Sequence, residues 1–89
     1  YAEDPPKGFL PSVGKLEHFE LPEELCRIET GLGSGDIVSP YYDPMIAKVV
    51  VHEASRAAAI EELWEAATDI EVWPVRTNAG FIARICLDE

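Results

Sequence analysis

Positive charge is what this sequence has least of: seven Lys and Arg stand against seventeen Asp and Glu, a formal net charge of −10 over 89 residues. A polyanion would meet repulsion and gain little from counterion release, which excludes nucleic acid and an anionic membrane as expected partners. Long apolar runs are also missing, since none approaches the roughly 20 residues a membrane span needs. No basic start followed by an apolar stretch marks a signal peptide. The two cysteines, Cys26 and Cys86, have no Cys-x-x-Cys spacing and no neighbouring histidine pair, so a metal site is not expected. They read as buried, reduced thiols in a reducing compartment. Methionine occurs once, at Met45, and the chain begins on Tyr1, so the sequence is expected to be a piece of a longer protein.

What is present suits one folded domain over residues 1–89: hydrophobic residues make up 47% and charged residues 27%, ordinary globular usage. Its core is small, because a domain of ~60 residues buries only about 60% of its unfolded surface. Pro5, Pro6 and Pro11 with Gly8 and Gly14 forbid a helix in this segment and set an extended, turning path, which Phe9 and Leu10 anchor to the core. Val13 to Leu21 is strand-like and Pro22-Glu23-Glu24 a turn. Cys26, Ile28 and Thr30 then alternate with Arg27 and Glu29 as a second, antiparallel strand would. Gly31, Gly33 and Gly35 invite a phosphate-loop reading, but no helix pattern follows and the Lys-Ser/Thr pair is absent, so a hairpin turn into Ile37-Val38 is expected. Ile46 to His52 reads as a central strand buried on both faces. Ser55 caps a helix with Ile60, Leu63, Trp64 and Ala67 inward and Glu61, Glu62 and Glu65 in solvent. Val72-Trp73-Pro74-Val75 reads as an extended link. Thr77 or Asn78 caps a second helix whose Phe81, Ile82 and Ile85 make its apolar face. The sum is an α+β fold, a small antiparallel sheet with two helices packed on one side.

The densest polar signal is the run Tyr41-Tyr42-Asp43-Pro44-Met45-Ile46-Ala47-Lys48 leading into Val49-Val50-Val51. Asp43 before proline either closes a turn on its own backbone or holds a cationic group of a neighbouring domain through a charge-assisted pair. Lys48 in an apolar strand requires an acid or an anionic ligand, because a buried unpaired ammonium is costly. Tyr41 and Tyr42 are expected to divide, one ring in the core and one at the surface with its hydroxyl paired. Glu3 and Asp4 either orient a neighbouring basic group or stay solvated. His18 and His52 have no companion Ser or Cys at a spacing that builds a nucleophilic triad. These residues alone do not make a complete enzyme.

Ala2-Glu3-Asp4-Pro5, then Phe9-Leu10-Pro11-Ser12 with Gly14-Lys15, then Tyr42-Asp43-Pro44-Met45-Ile46-Ala47-Lys48, resemble in order and spacing the C-terminal domain of biotin carboxylase. Arg56 with Ala59-Ile60, and Val75-Arg76-Thr77-Asn78 with Phe81-Ile82, carry the resemblance over nearly the whole chain. Two places depart from it. Trp73-Pro74 replaces the glycine usual before the closing Val-x-Thr-Asn, and Glu23-Glu24 replaces a glycine-rich turn; both are expected in loops.

The resemblance implies an ATP-dependent ligase, either a stand-alone biotin carboxylase or part of an acyl-CoA carboxylase such as acetyl-, propionyl- or methylcrotonyl-CoA carboxylase. In that family ATP activates bicarbonate to carboxyphosphate, and CO2 passes to the ureido nitrogen of biotin on a carrier domain. Biotin, ATP and Mg2+ are then cofactors of the parent enzyme, none bound by this chain alone, which is expected to be inactive. The implied partners are the ATP-grasp domain, the biotin carboxyl carrier domain, the carboxyltransferase and a second copy in a homodimer. The family's arginine that stabilises the biotin enolate would lie two residues before Tyr1, and part of the adenine pocket beyond Glu89. Asp43 and Lys48 become supports of the site, Glu3 and Asp4 neighbours of that arginine, and Leu25 and Arg27 dimer contacts. No catalytic and no metal-binding residue is expected within the chain. The implied compartment is bacterial cytoplasm or, in a eukaryote, the mitochondrial matrix. A second reading, from a different class, is an independent acidic module that binds a protein partner without catalysis.

Overall fold

Prolines and glycines interrupt the extended runs of this chain, so its strands are only two or three residues long. The computed structural model describes residues 1–88. Strand β1 (Glu3–Asp4) passes through one 3-10 turn at Pro5–Lys7, which prolines permit at a helix start, and pairs with β2 (Leu10–Pro11). The segment expected as one strand from Val13 to Leu21 is two, β3 (Gly14–Lys15) and β4 (His18–Glu20). Splitting it lets each half find its own partner. β3 pairs with β6 (Ile37–Val38), and β4 with β8 (Glu71–Trp73). β5 (Arg27–Glu29) pairs with β7 (Lys48–Val50), and all four pairs are antiparallel.

These long-range pairings replace two expected hairpins. The Pro22–Leu25 turn, closed by a Leu25 N–H to Pro22 carbonyl bond of 3.1 Å, redirects β5 away from β4. The glycine-rich segment likewise carries β6 away from β5. Val72 and Trp73, expected to begin an extended link, form with Glu71 a strand up to the proline, since Pro74 withholds only its own donor.

The split between β3 and β4 has an energetic reason in Leu16. Its side chain is fully buried, its N–H donates to the Asp36 carbonyl at 2.7 Å, and its carbonyl accepts the Gly35 N–H at 2.7 Å. With Ala2, Val38, Ile46 and Val75 it makes the core, against which Phe19, Leu32 and Val72 pack.

Helix α1 (Arg56–Asp69) begins where the Ser55 hydroxyl accepts the Ala58 N–H at 3.1 Å, the expected cap. Helix α2 (Ala79–Leu87) packs on α1. The buried residues of these helices are alanines, Ala66 and Ala67 on one and Ala79 and Ala83 on the other. Small side chains let the helices approach closely, so Trp64, Phe81 and Ile85, expected to face the core, stay partly exposed. Phe81 instead meets the ring of Phe9 edge-on at 4.9 Å.

Other expectations about burial change as well. β7 is not covered on both faces: Lys48, Val50 and His52 are exposed, because the outer face of the β5–β7 pair has no layer over it. Tyr41 and Tyr42 are both exposed, and Leu10 points outward. Cys26 and Cys86 are free thiols, half-buried rather than buried. Glu62, expected in solvent, is half-buried and hydrogen-bonded to Glu53, which together with desolvation and the charges of Glu53 and Glu65 raises its carboxyl above the ordinary range.

Candidate functional site

Asp43 closes a turn on its own backbone: Oδ1 accepts the Met45 N–H at 2.9 Å. That turn presents the Pro44 carbonyl to the Ala2 N–H, 2.8 Å away, and Ala2 is wholly buried. The Tyr1 carbonyl accepts the Asn78 N–H at 3.1 Å, while the Tyr1 amino group donates to Asn78 Oδ1 at 3.0 Å. Three segments distant in sequence, at Tyr1–Glu3, Asp43–Ile46 and Thr77–Ala79, therefore converge on the start of the chain.

Beside this junction opens an apolar cavity of about 330 Å³ lined by Tyr1, Met45, Lys48, Leu63, Val72 and Ile82, among others. Lys48 stands at its edge rather than in the interior. The β5–β7 register places it opposite Glu29, so the expected buried ammonium in need of an acid is an exposed one facing an acid. No ion pair joins Asp43 to Lys48 among the described residues.

Glu3 and Asp4 are half-buried on β1. Asp4 lines, with Arg76 and Arg84, a second cavity of about 470 Å³, which sets it among basic groups. Leu25 and Arg27 line neither cavity. Both are exposed, Leu25 on the turn and Arg27 on β5, where its guanidinium is paired with Glu29.

Sequence reasoning treated Asn78 only as a helix cap, and it missed Ser12. Asn78 makes no side-chain cap; its amide holds the first residue instead, while Thr77 Oγ1 accepts the Ala79 N–H at 3.3 Å. Ser12 Oγ accepts the Arg76 N–H at 2.9 Å and so ties the segment after β2 to the approach to α2. The signal for both was their place inside the recurring motifs.

The glycine-rich loop is not arranged for a nucleotide. The loop amides that a phosphate would need are already engaged: Leu32 N–H donates to Thr30 Oγ1 at 3.1 Å, Gly33 N–H to Asp36 Oδ2 at 2.8 Å and Gly35 N–H to the Leu16 carbonyl. A strand, not a helix, follows, so the loop neither cradles phosphate nor aims a helix dipole at it. Gly35, at φ 92°, is there for the turn. This loop therefore offers ATP no phosphate cradle.

The family described as the biotin carboxylase C-terminal domain matches residues 1–89. The α subunit of mitochondrial methylcrotonoyl-CoA carboxylase from Glycine max is 44% identical over 86 residues, covering 96% of this chain and 12% of that protein. Biotin carboxylase 2 of Bacillus subtilis is 44% identical over 79 residues, covering 88% of this chain and 18% of that protein. Among solved structures, the biotin carboxylase domain dimer of Hydrogenobacter thermophilus 2-oxoglutarate carboxylase, in complex with MgADP, ADP and bicarbonate, superposes with a TM-score of 0.93 at 34% identity. That match covers 99% of this chain and 20% of the other. The chain thus spans a fifth or less of the length of these relatives. Among the described residues no helix is long and apolar enough to cross a membrane.

Proposed function

The chain belongs to the biotin carboxylase C-terminal domain family, and from that premise we propose that it frames the site at which an ATP-dependent biotin carboxylase carboxylates carrier-bound biotin. The observation that carries this reading is the Asp43 turn locked onto the first residues of the chain and onto Asn78. ATP, Mg2+ and biotin supply the activation of bicarbonate and the acceptor nitrogen, and the rest of the carboxylase holds them. The work of this chain is positional. Asp43, fixed by the Met45 N–H, leaves its second carboxylate oxygen for a cationic group of the polypeptide that enters at Tyr1. Glu3 and Asp4 flank the same entry, and Lys48 borders the apolar cavity behind it.

The partners in this reading are the ATP-grasp domain, a biotin carboxyl carrier domain and a carboxyltransferase, with residues 1–89 as one domain of the parent. Leu25 and Arg27 form part of a contact with a second copy, an assignment supported by their exposure. The compartment is that of the relatives, bacterial cytoplasm or mitochondrial matrix.

The test is Asp43→Ala and Asp43→Asn in the complete carboxylase, with biotin-dependent phosphate release measured alongside melting temperature. Asp43→Asn keeps the turn acceptor and removes the charge, so activity falls while the melting temperature holds. Activity unchanged in Asp43→Asn, or lost only in proportion to stability in Asp43→Ala, would leave the turn purely architectural. The 89-residue chain by itself is expected to show no bicarbonate-dependent ATP hydrolysis.

A further inference from the structure

Strand register gathers three metal-ligating side chains on the outer face of the β4–β8 pair. His18 and Glu20 are two apart on β4 and share that face, while Glu71 on β8 stands directly opposite Glu20. His18 Nε2 and Glu71 Oε1 are 3.1 Å apart, and one donor atom from each of the three residues lies within 4.8 Å of the others. The inward faces of the same strands, at Phe19 and Val72, pack on the core, so the backbone that presents the three donors is fixed from below.

Two features make this more than a solvated acidic face. Like charges directly opposed across an antiparallel pair are destabilising, and one imidazole offsets at most one of the two carboxylates. The donor set is also mixed. An imidazole with two carboxylates suits a borderline divalent ion such as Zn2+ better than Mg2+ or Ca2+, which favour all-oxygen sites. Zinc held at about 2.0–2.2 Å by nitrogen and oxygen ligands requires donors roughly 3.3–3.6 Å apart, a small contraction from the present spacing that partly exposed side chains can make. The carboxylase reading uses none of these residues.

We propose that His18, Glu20 and Glu71 form a surface site for a zinc-class divalent ion, with one imidazole and two carboxylates as ligands and the fourth position open to water. Bound there, the ion clamps β4 to β8 and neutralises the opposed carboxylates. It stabilises the domain without entering the reaction. Sequence spacing pointed away from zinc because only the pairing of β4 with β8 brings Glu71 to His18 and Glu20.

The experiment titrates the dialysed complete polypeptide with ZnCl2 by calorimetry, follows melting with and without zinc, and substitutes Co2+ to read its tetrahedral absorption. The parent binds one more equivalent of Zn2+ than His18→Asn and melts at a higher temperature with zinc than without. His18→Asn and Glu71→Gln each lower the affinity at least as much as loss of an orienting partner does, about 10- to 100-fold. Equal zinc stoichiometry and affinity in the parent and both variants overturns the site. Should either variant melt early without metal, Glu20→Gln decides. A simple His18–Glu71 ion pair does not involve Glu20, so unchanged zinc affinity in Glu20→Gln also overturns the proposal.

Discussion

The β4–β8 and β5–β7 pairs share one geometry, three residues against three in antiparallel register, yet their outer faces follow opposite charge logic. On β5–β7 the acid Glu29 stands opposite Lys48 and is paired with Arg27, so one carboxylate has two cations. On β4–β8 two carboxylates stand opposed beside one histidine, which is bonded to Glu71. The first face is satisfied within the chain and carries a local positive surplus on a protein of net charge −10. That surplus suits a contact with an acidic surface, including that of a second copy. The second face is left with negative charge that a cation would complete. The same backbone arrangement thus yields a finished face and an unfinished one, and only the side chains at equivalent register positions decide which.

The comparison breaks most completely if the two pairs do not share a core. Leu16→Ala removes, among the described residues, the only large side chain that is wholly enclosed, and it should cost about 2–5 kcal/mol. Hydrogen exchange should then show β4–β8 and β5–β7 opening together. Separate opening would mean two independent ladders.

A smaller effect sharpens the contrast itself. In metal-free buffer, Glu71→Lys should stabilise β4–β8 and Lys48→Glu should destabilise β5–β7, each by about 0.2–1 kcal/mol, since opposite charges across a pair favour it and like charges oppose it. Urea titrations would measure both, and high salt should shrink both changes. Equal signs for the two substitutions would refute the distinction between the faces.

The smallest expected effect lies behind the strands, at Glu62. Its carboxyl binds a proton more tightly in the folded chain, chiefly through the hydrogen bond with Glu53. The stability this gives is present at low pH and is lost as pH rises from the ordinary carboxylate value of 4.5 through the raised native value. Glu62→Gln retains a hydrogen-bonding group that does not titrate, so its melting temperature should vary less across that window and exceed the parent's above it. Parallel pH profiles for the two proteins would remove Glu62 from the account.

Local chemistry made much of this legible in the sequence. The Ser55 cap, the Asp43-Pro44 turn, the Pro22 turn and the α+β class follow from short-range rules that act within a few residues. What failed was pairing. A three-residue strand carries too little periodicity to name its partner, so the sequence matches β4 with β5 and places Val72 and Trp73 of β8 in a link. Burial failed with it: the continuous apolar run at Ile46–His52 suggests two covered faces, but coverage depends on what the other elements leave over it. The candidate site was half visible. Asp43 and Glu3 stood out by their motifs, whereas the anchoring by Asn78 and Ser12 needed segments 60 or more residues apart to be brought into contact.

By itself, then, the sequence determined the caps, turns and family motifs, because each rests on bonds a residue makes with its immediate neighbours. Tertiary structure alone decided that Tyr41 and Tyr42 stay outside, that Lys48 faces Glu29, and that His18, Glu20 and Glu71 meet. The physical reason is register: opposed positions on paired strands fix which charges face one another, and no local propensity encodes it.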